Sequence, residues 1–143
     1  MREKLPDTSN NLHARGYMNN NNKTMEWVLR IAVAGEFIGH GVFALQQKAG
    51  WIKYFTAVGF SSDQALTLMP GIGAMDILLA LIVLVRPVRV LLLWMAFWGV
   101  WTALLRPIAG EPVWDFVERW ANWGAPLALL LYYGWPRGKE WLK

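Results

Sequence analysis

The sequence predicts an all-α integral membrane protein, a four-helix bundle with an interfacial segment between its first two helices. Three observations carry that reading. Residues 65–85 hold no charge except Asp76, and residues 90–105 hold none. A hydrocarbon core about 30 Å thick takes roughly 20 helical residues at about 1.5 Å each, so blocks of this length read as membrane spans. Apolar residues make up 55% of the chain and charged residues only 17%, too oily a balance for a soluble domain of 143 residues. Of ten tryptophans many, among them Trp27, Trp51, Trp114, Trp135 and Trp141, sit near span ends, as in an aromatic belt where an apolar ring keeps its N–H wet. The alternative, a soluble bundle with a tryptophan-rich core, leaves the length of the apolar blocks unexplained.

Residues 1–24 contain "SNNLHARGYMNNNNK" and no apolar block, so they are expected to form a disordered cytoplasmic tail, with His13 a solvent residue. The transmembrane domain is then residues 25–143. Its first span is expected over 27–45. Residues 48–64, "KAGWIKYFTAVGFSSDQ", interleave Trp51, Tyr54 and Phe55 with Lys48 and Lys53, the pattern of a segment lying in the interface. The second span is expected over 65–85, loosened by "MPGIG" shortly before Asp76. A third, over 88–105, is joined to it by "RPVR", a link so short that the two should be antiparallel neighbours. The fourth, over 115–135, must start among Asp115, Glu118 and Arg119, and Pro126 should kink it. No tandem repeat is evident.

The polar residues at membrane depth are the candidate site. In "GEFIGHGVF", residues 35–43, Glu36 lies nine residues past Trp27, about 14 Å into the membrane; Asp76 lies eleven residues into the second span, about 16 Å from the opposite face. Both fall near the midplane. Positions i and i+4 share a helix face, so Glu36 and His40 point the same way. An acidic residue at the centre of a span costs about 2.5 to 3.5 kcal/mol on insertion scales, so Glu36, His40 and Asp76 should face the bundle interior. A neutral pair and an ion pair both fit the spacing. Gly35, Gly39 and Gly41 would let another backbone approach, which makes a purely structural polar clamp the plain alternative to a pocket for a proton or an amphiphilic ligand. Trp98, in an aromatic row with Trp94 and Trp101, falls at the same depth and would wall such a pocket.

A second constellation is "LLRPIAGEPVWDFVERWANWGAP", residues 104–126. Arg106 ends the third span, Pro107 and Pro112 break the helix, and Asp115, Glu118, Arg119 and Asn122 follow at spacings of three and four. With Glu111 they would cap the outer mouth of the bundle, as a lid continuing the polar path from His40. The alternative is a solvated loop in which Arg106 pairs with Glu111. The ligand-binding or proton-handling candidates are thus Glu36, His40, Asp76, Trp98, Arg106, Glu111, Glu118 and Asn122, and no residue is assigned a catalytic role.

Several function classes are disfavoured. The chain has no cysteine, which removes thiolate metal sites and disulfide exchange, and a single histidine within a span makes a transition-metal site improbable. The net charge of +4 is explained by juxtamembrane anchoring, and no basic, aromatic-studded soluble face suggests nucleic acid.

Arg30, Gly35, Phe37, His40, Gly41 and Lys48 in a first span, followed by an interfacial loop and a glycine-containing second span, resemble the DoxX-like family of small four-helix bacterial membrane proteins. The resemblance covers about residues 27–105. It implies a bacterial inner-membrane accessory protein of a redox or respiratory system, binding a quinone-like small molecule or a partner subunit. The chain departs from the family in lacking cysteine, and residues 106–126 do not map onto it. A membrane enzyme doing isomerase-like acid–base chemistry on a lipid-like substrate is the rival reading, and a small proton-coupled transporter a third. Besides the bilayer, a membrane-protein partner or a homo-oligomer is expected.

Orientation follows from the 14 basic residues. With four spans and both termini cytoplasmic, Arg2, Lys4, Arg15, Lys23, Arg30, Arg86, Arg89, Arg137, Lys139 and Lys143 lie inside, against Lys48, Lys53, Arg106 and Arg119 outside. That ten-to-four bias is the arrangement the positive-inside rule favours. A reporter fused at residue 143 is therefore expected to report the cytoplasm; a periplasmic signal would overturn both the orientation and the four-span count.

Overall fold

The computed structural model describes the backbone of residues 8–136 and the side chains of residues 21–136. The side chains of His13 and Arg15, together with Arg2, Lys4, Arg137, Lys139, Trp141 and Lys143, lie outside the described residues. The fold is all-helical, with no strand among the described residues. Helix α1 runs over Thr8–Leu45, a 3₁₀ turn over Ala49–Trp51, α2 over Ile52–Thr56, α3 over Ser62–Val85, α4 over Arg89–Ile108, α5 over Val113–Val117 and α6 over Trp120–Tyr132. Three helical stretches, Asn21–Leu45, Ser62–Val85 and Arg89–Ile108, are long and apolar enough to cross a membrane.

Two expectations about the elements change. Residues 8–24 are helical rather than a disordered tail, since α1 continues for 38 residues, about 57 Å of helix. No proline interrupts the chain between Pro6 and Pro70, so the helix of the first span extends into the polar segment. The fourth element is divided: α6 has 13 residues, about 20 Å, and is separated from α5 at Glu118 and Arg119. Arg119 leaves helical geometry, with φ −96° and ψ 12°, and its guanidinium donates to the Asp115 carbonyl at 2.6 Å, satisfying a backbone acceptor at the end of α5.

The remaining helix ends follow from local chemistry. Ser61 and Gln64 form a reciprocal capping box at the start of α3, in which the Gln64 N–H donates to Ser61 Oγ at 3.2 Å and the Ser61 N–H donates to Gln64 Oε1 at 2.8 Å. Helix α3 stops where Arg86, forced out of helical geometry by Pro87, adopts φ −151° and ψ 100°. "MPGIG" does not break α3, which is continuous through Pro70. The proline has no N–H for the Leu66 carbonyl, and Gln47 Nε2, just past the end of α1, donates to that oxygen at 2.9 Å instead.

In packing, α1 lies along α3 and along α6, and α6 lies along α4. Helices α3 and α4 touch little despite the short link between them, so "RPVR" does not make them packed neighbours. They meet near the link, where Leu79, Ala80 and Val83 of α3 join Leu92 and Met95 of α4, Val33, Ala34 and Phe37 of α1, and Leu129 and Leu130 of α6 in one buried core. Farther along, glycines decide the partners. A Cβ on Gly41 would stand 2.8 Å from the Gly73 carbonyl oxygen, and one on Gly73 would stand 2.6 Å from that of Gly41. A Cβ on Gly99 of α4 would stand 2.6 Å from the Asn122 carbonyl oxygen of α6. Each contact needs a bare backbone, and together they draw α3 to α1 and α4 to α6. Of the expected glycine contacts on α1, only Gly41 makes one; Gly35 and Gly39 face open space.

At the end of the bundle near the link, Arg30 fixes the helix ends. Its Nη2 lies 2.5 Å from Glu26 and 2.7 Å from Tyr133 Oη, and its Nη1 reaches the Leu84 carbonyl of α3 at 3.4 Å. Arg89 donates to the Tyr133 carbonyl at 2.9 Å.

Gly73→Ala is expected to lower stability in detergent by about 1 to 3 kcal/mol, because the new methyl group overpacks a backbone contact. Gly71→Ala, two residues away with nothing near its Cβ, is expected to be neutral or to gain up to about 1 kcal/mol. Thermal unfolding of both variants checks this; equal effects would remove the close-contact argument.

Candidate functional site

Where α3 and α4 part, the structure encloses a cavity of about 300 Å³. One stripe from each of three helices lines it: Glu36, Phe37 and His40 from α1, Leu68, Ile72 and Asp76 from α3, and Trp98, Trp101, Thr102, Leu105 and Arg106 from α4. The spacings of three and four within each stripe are those of a single helix face. Trp51, Tyr54 and Phe55 roof the space from the turn and α2, and Arg119 and Asn122 border it between α5 and α6.

The structure therefore brings together Glu36, His40, Asp76, Trp98, Arg106 and Asn122 of the sequence candidates. Glu111 and Glu118 do not line the cavity. Glu118 is paired with Arg119 and largely exposed. Glu111 stands behind the roof, where its role is structural. Among the lining residues beyond the candidates are Arg119 and Tyr54. Arg119 belonged to the polar cluster in the sequence, but Tyr54 needed a different signal: a tyrosine in a short interfacial segment, whose hydroxyl must find a partner once its ring is buried.

At the deep end, Glu36 Oε1 lies 3.8 Å from His40 Nδ1, and the His40 ring is 5.8 Å from that of Trp51, tilted by 35°. Glu36 and Asp76 both line the cavity. Asp76 is only 3% exposed. Trp98 approaches its carboxyl as a hydrogen-bond donor, held by stacking on Trp94 at 6.0 Å and 16°, but Asp76 Oδ1 has no partner. Among the described residues, no group of three or more His, Cys, Asp and Glu side chains converges as a metal site.

The roof is held by Glu111. Lys53 forms an ion pair with it, Tyr54 Oη donates to its Oε1 at 2.8 Å, and Arg106 Nη1 lies 3.3 Å from its Oε2. The Arg106 guanidinium also stacks 4.6 Å from the Tyr54 ring centre. Burial opposes charge on Glu111, but hydrogen bonds from Lys53, Tyr54 and Arg106 outweigh it and hold the carboxyl down at about 2. Burial, with the bond to Glu111, pushes Tyr54 up to about 12, so it remains a donor. One carboxylate thus ties α2 to the end of α4 across the mouth of the cavity.

No family model matches the chain, and no match is found among curated proteins or solved structures. The binding role is therefore argued from the geometry of the cavity.

Glu111→Gln is expected to free the roof, lowering the hydrogen-exchange protection of α2 amides about tenfold while α1 is unchanged. Because the carboxyl is depressed in the folded state, its stabilisation is full above its ordinary value of 4.5 and is lost as pH falls toward about 2. Protection of α2 should accordingly be the same at pH 7 and pH 5, and a loss between those values would contradict the clamp.

Proposed function

We propose that this chain is a bacterial inner-membrane accessory protein of a redox or respiratory system that binds an amphiphilic, quinone-like small molecule. It crosses the membrane four times, the short α6 completing the bundle with α5, and both termini are cytoplasmic. The observation that carries the binding role is the cavity. It is walled by Phe37, Leu68, Ile72, Trp98, Trp101 and Leu105, and it holds a buried carboxyl oxygen without a partner. Ligand sites are mostly apolar concave spaces with a few convergent polar groups, and native interiors rarely leave a buried polar atom unpaired. The basic-residue bias supports the orientation, and the resemblance to DoxX-like proteins supports the redox setting.

A second reading, acid–base catalysis on a lipid-like substrate, is favoured by one contact, Glu36 beside His40 at 3.8 Å. Transport is disfavoured by the packed layer of Val33, Leu79, Leu92 and Met95 beneath the cavity, which closes it on that side.

The test is titration of the purified protein with a decyl-substituted benzoquinone, read by quenching of tryptophan fluorescence. Saturable quenching is expected. Glu36→Gln should weaken it about tenfold while leaving thermal stability unchanged or raised, since a buried ionisable group is costly to keep. Lower stability with undiminished binding would leave Glu36 and His40 as a packing clamp.

A further inference from the structure

The cavity differs from a general apolar hole in having opposite chemistry at its two ends. Trp98, beside Asp76, and Arg106, at the roof, are eight residues apart on α4, so the ends are separated by about 12 Å of helix rise. The roof end presents the guanidinium groups of Arg106 and Arg119, but both are already engaged, with Glu111 and with Glu118. The deep end presents Glu36 and Asp76, and there one oxygen, Asp76 Oδ1, is buried with nothing bonded to it. The unmet hydrogen bond of the site is therefore at its deep end.

The exposed part of the wall is apolar. Leu68 of α3, Trp101 of α4 and Phe60 of the loop before α3 are 41%, 39% and 43% exposed, whereas Asp76 is 3% exposed. Leu68 and Trp101 stand on the two helices that part from each other. An apolar opening between helices of membrane-spanning length admits solutes from lipid rather than from water.

We infer that the cavity takes a flat, lipid-dissolved molecule carrying a hydroxyl on an aromatic head, a phenol-class ligand, which enters between α3 and α4 head first and bonds to Asp76 Oδ1. This rests on the reading of the cavity as a ligand site and specifies the head. A hydroxyl both donates and accepts, so it satisfies Oδ1 whether Asp76 carries a proton or not. An ether only accepts, and leaves an ionised Asp76 with a buried, unpaired oxygen, whereas a quinone in its reduced form carries the hydroxyl. Glu36, which also lines the cavity, is a second acceptor. Trp98 and Phe37 supply walls for the ring, and the tail lies in the apolar gap at Leu68 and Trp101.

The experiment compares 4-nonylphenol with 4-nonylanisole, its methyl ether, at equal mole fraction in lipid nanodiscs at pH 8, with occupancy read by native mass spectrometry. The phenol is expected to bind at least about tenfold more tightly, the usual consequence of leaving a buried polar group unpaired. Asp76→Ala should bring the ratio near one. Because that variant could fail to fold, a carboxyl infrared band of the wild-type protein is followed as well; it should shift on adding the phenol and not the ether. Equal affinity, or no shift, overturns the inference, since Oδ1 is then served by water. Binding of neither probe while the decyl benzoquinone still binds overturns the inference alone, and loss of all three overturns the ligand-site reading with it.

Discussion

Two contacts between bare backbones set the shape of this protein. Gly41 against Gly73 leaves no room for a side chain between α1 and α3, and Gly99 against the Asn122 carbonyl leaves none between α4 and α6. Helices in lipid gain little from apolar burial against one another, so close backbone approach is a principal source of their association. The short link holds α3 and α4 together at one end, and the glycine pairs then pull their far halves toward different partners. The cavity is the space left by that divergence, and α2 with its loop covers it.

Polar groups are concentrated in two knots at opposite ends, and the contrast with the middle is informative. Arg30 with Glu26 and Tyr133 ties α1 to α6 at one end; Glu111 with Lys53, Tyr54 and Arg106 ties α2 to α4 at the other. In both, a charged group meets several donors or acceptors and is satisfied. Even the carbonyl freed by Pro70 is served, by Gln47. Asp76, the buried charged residue of the described core, differs, because its Oδ1 has no partner. Trp123 Nε1 is likewise buried without a partner, but of the two residues Asp76 is the one that lines the cavity, which gives its unpaired oxygen a meaning beyond packing.

What could be read from the sequence were properties of one helix at a time. The lengths of the apolar blocks gave three membrane-length helices, and the four-residue spacing put Glu36 and His40 on one face. Counting residues along antiparallel spans brought Trp98 and Asp76 to one level. What could not be read depended on a partner distant in sequence. The separation of α3 from α4 follows from Gly41 and Gly99 choosing α1's and α6's contacts. The continuity of α3 through Pro70 depends on Gln47, and the role of Glu111 depends on Lys53 and Tyr54. The division of the fourth element turned on Arg119 bonding to Asp115, a local signal masked by charges that also suit a helix start.

The cavity's position links these points to function. The packed core below it and the clamped roof above it leave the apolar gap between α3 and α4 as the wall with least to hold it shut. That gap exists because the glycine contacts separate the two helices, while the carboxyl groups lie deep because α1 and α3 carry them on the faces that remain turned inward. The residues that border the apolar gap are therefore different from the carboxyl-bearing residues to which the proposed ligand's head is assigned. Under the proposed ligand reading, substitutions at Leu68 or Trp101 act on passage from the lipid, and substitutions at Glu36 or Asp76 act on what is retained. A purely structural polar clamp has no such division, because a clamp has no entrance.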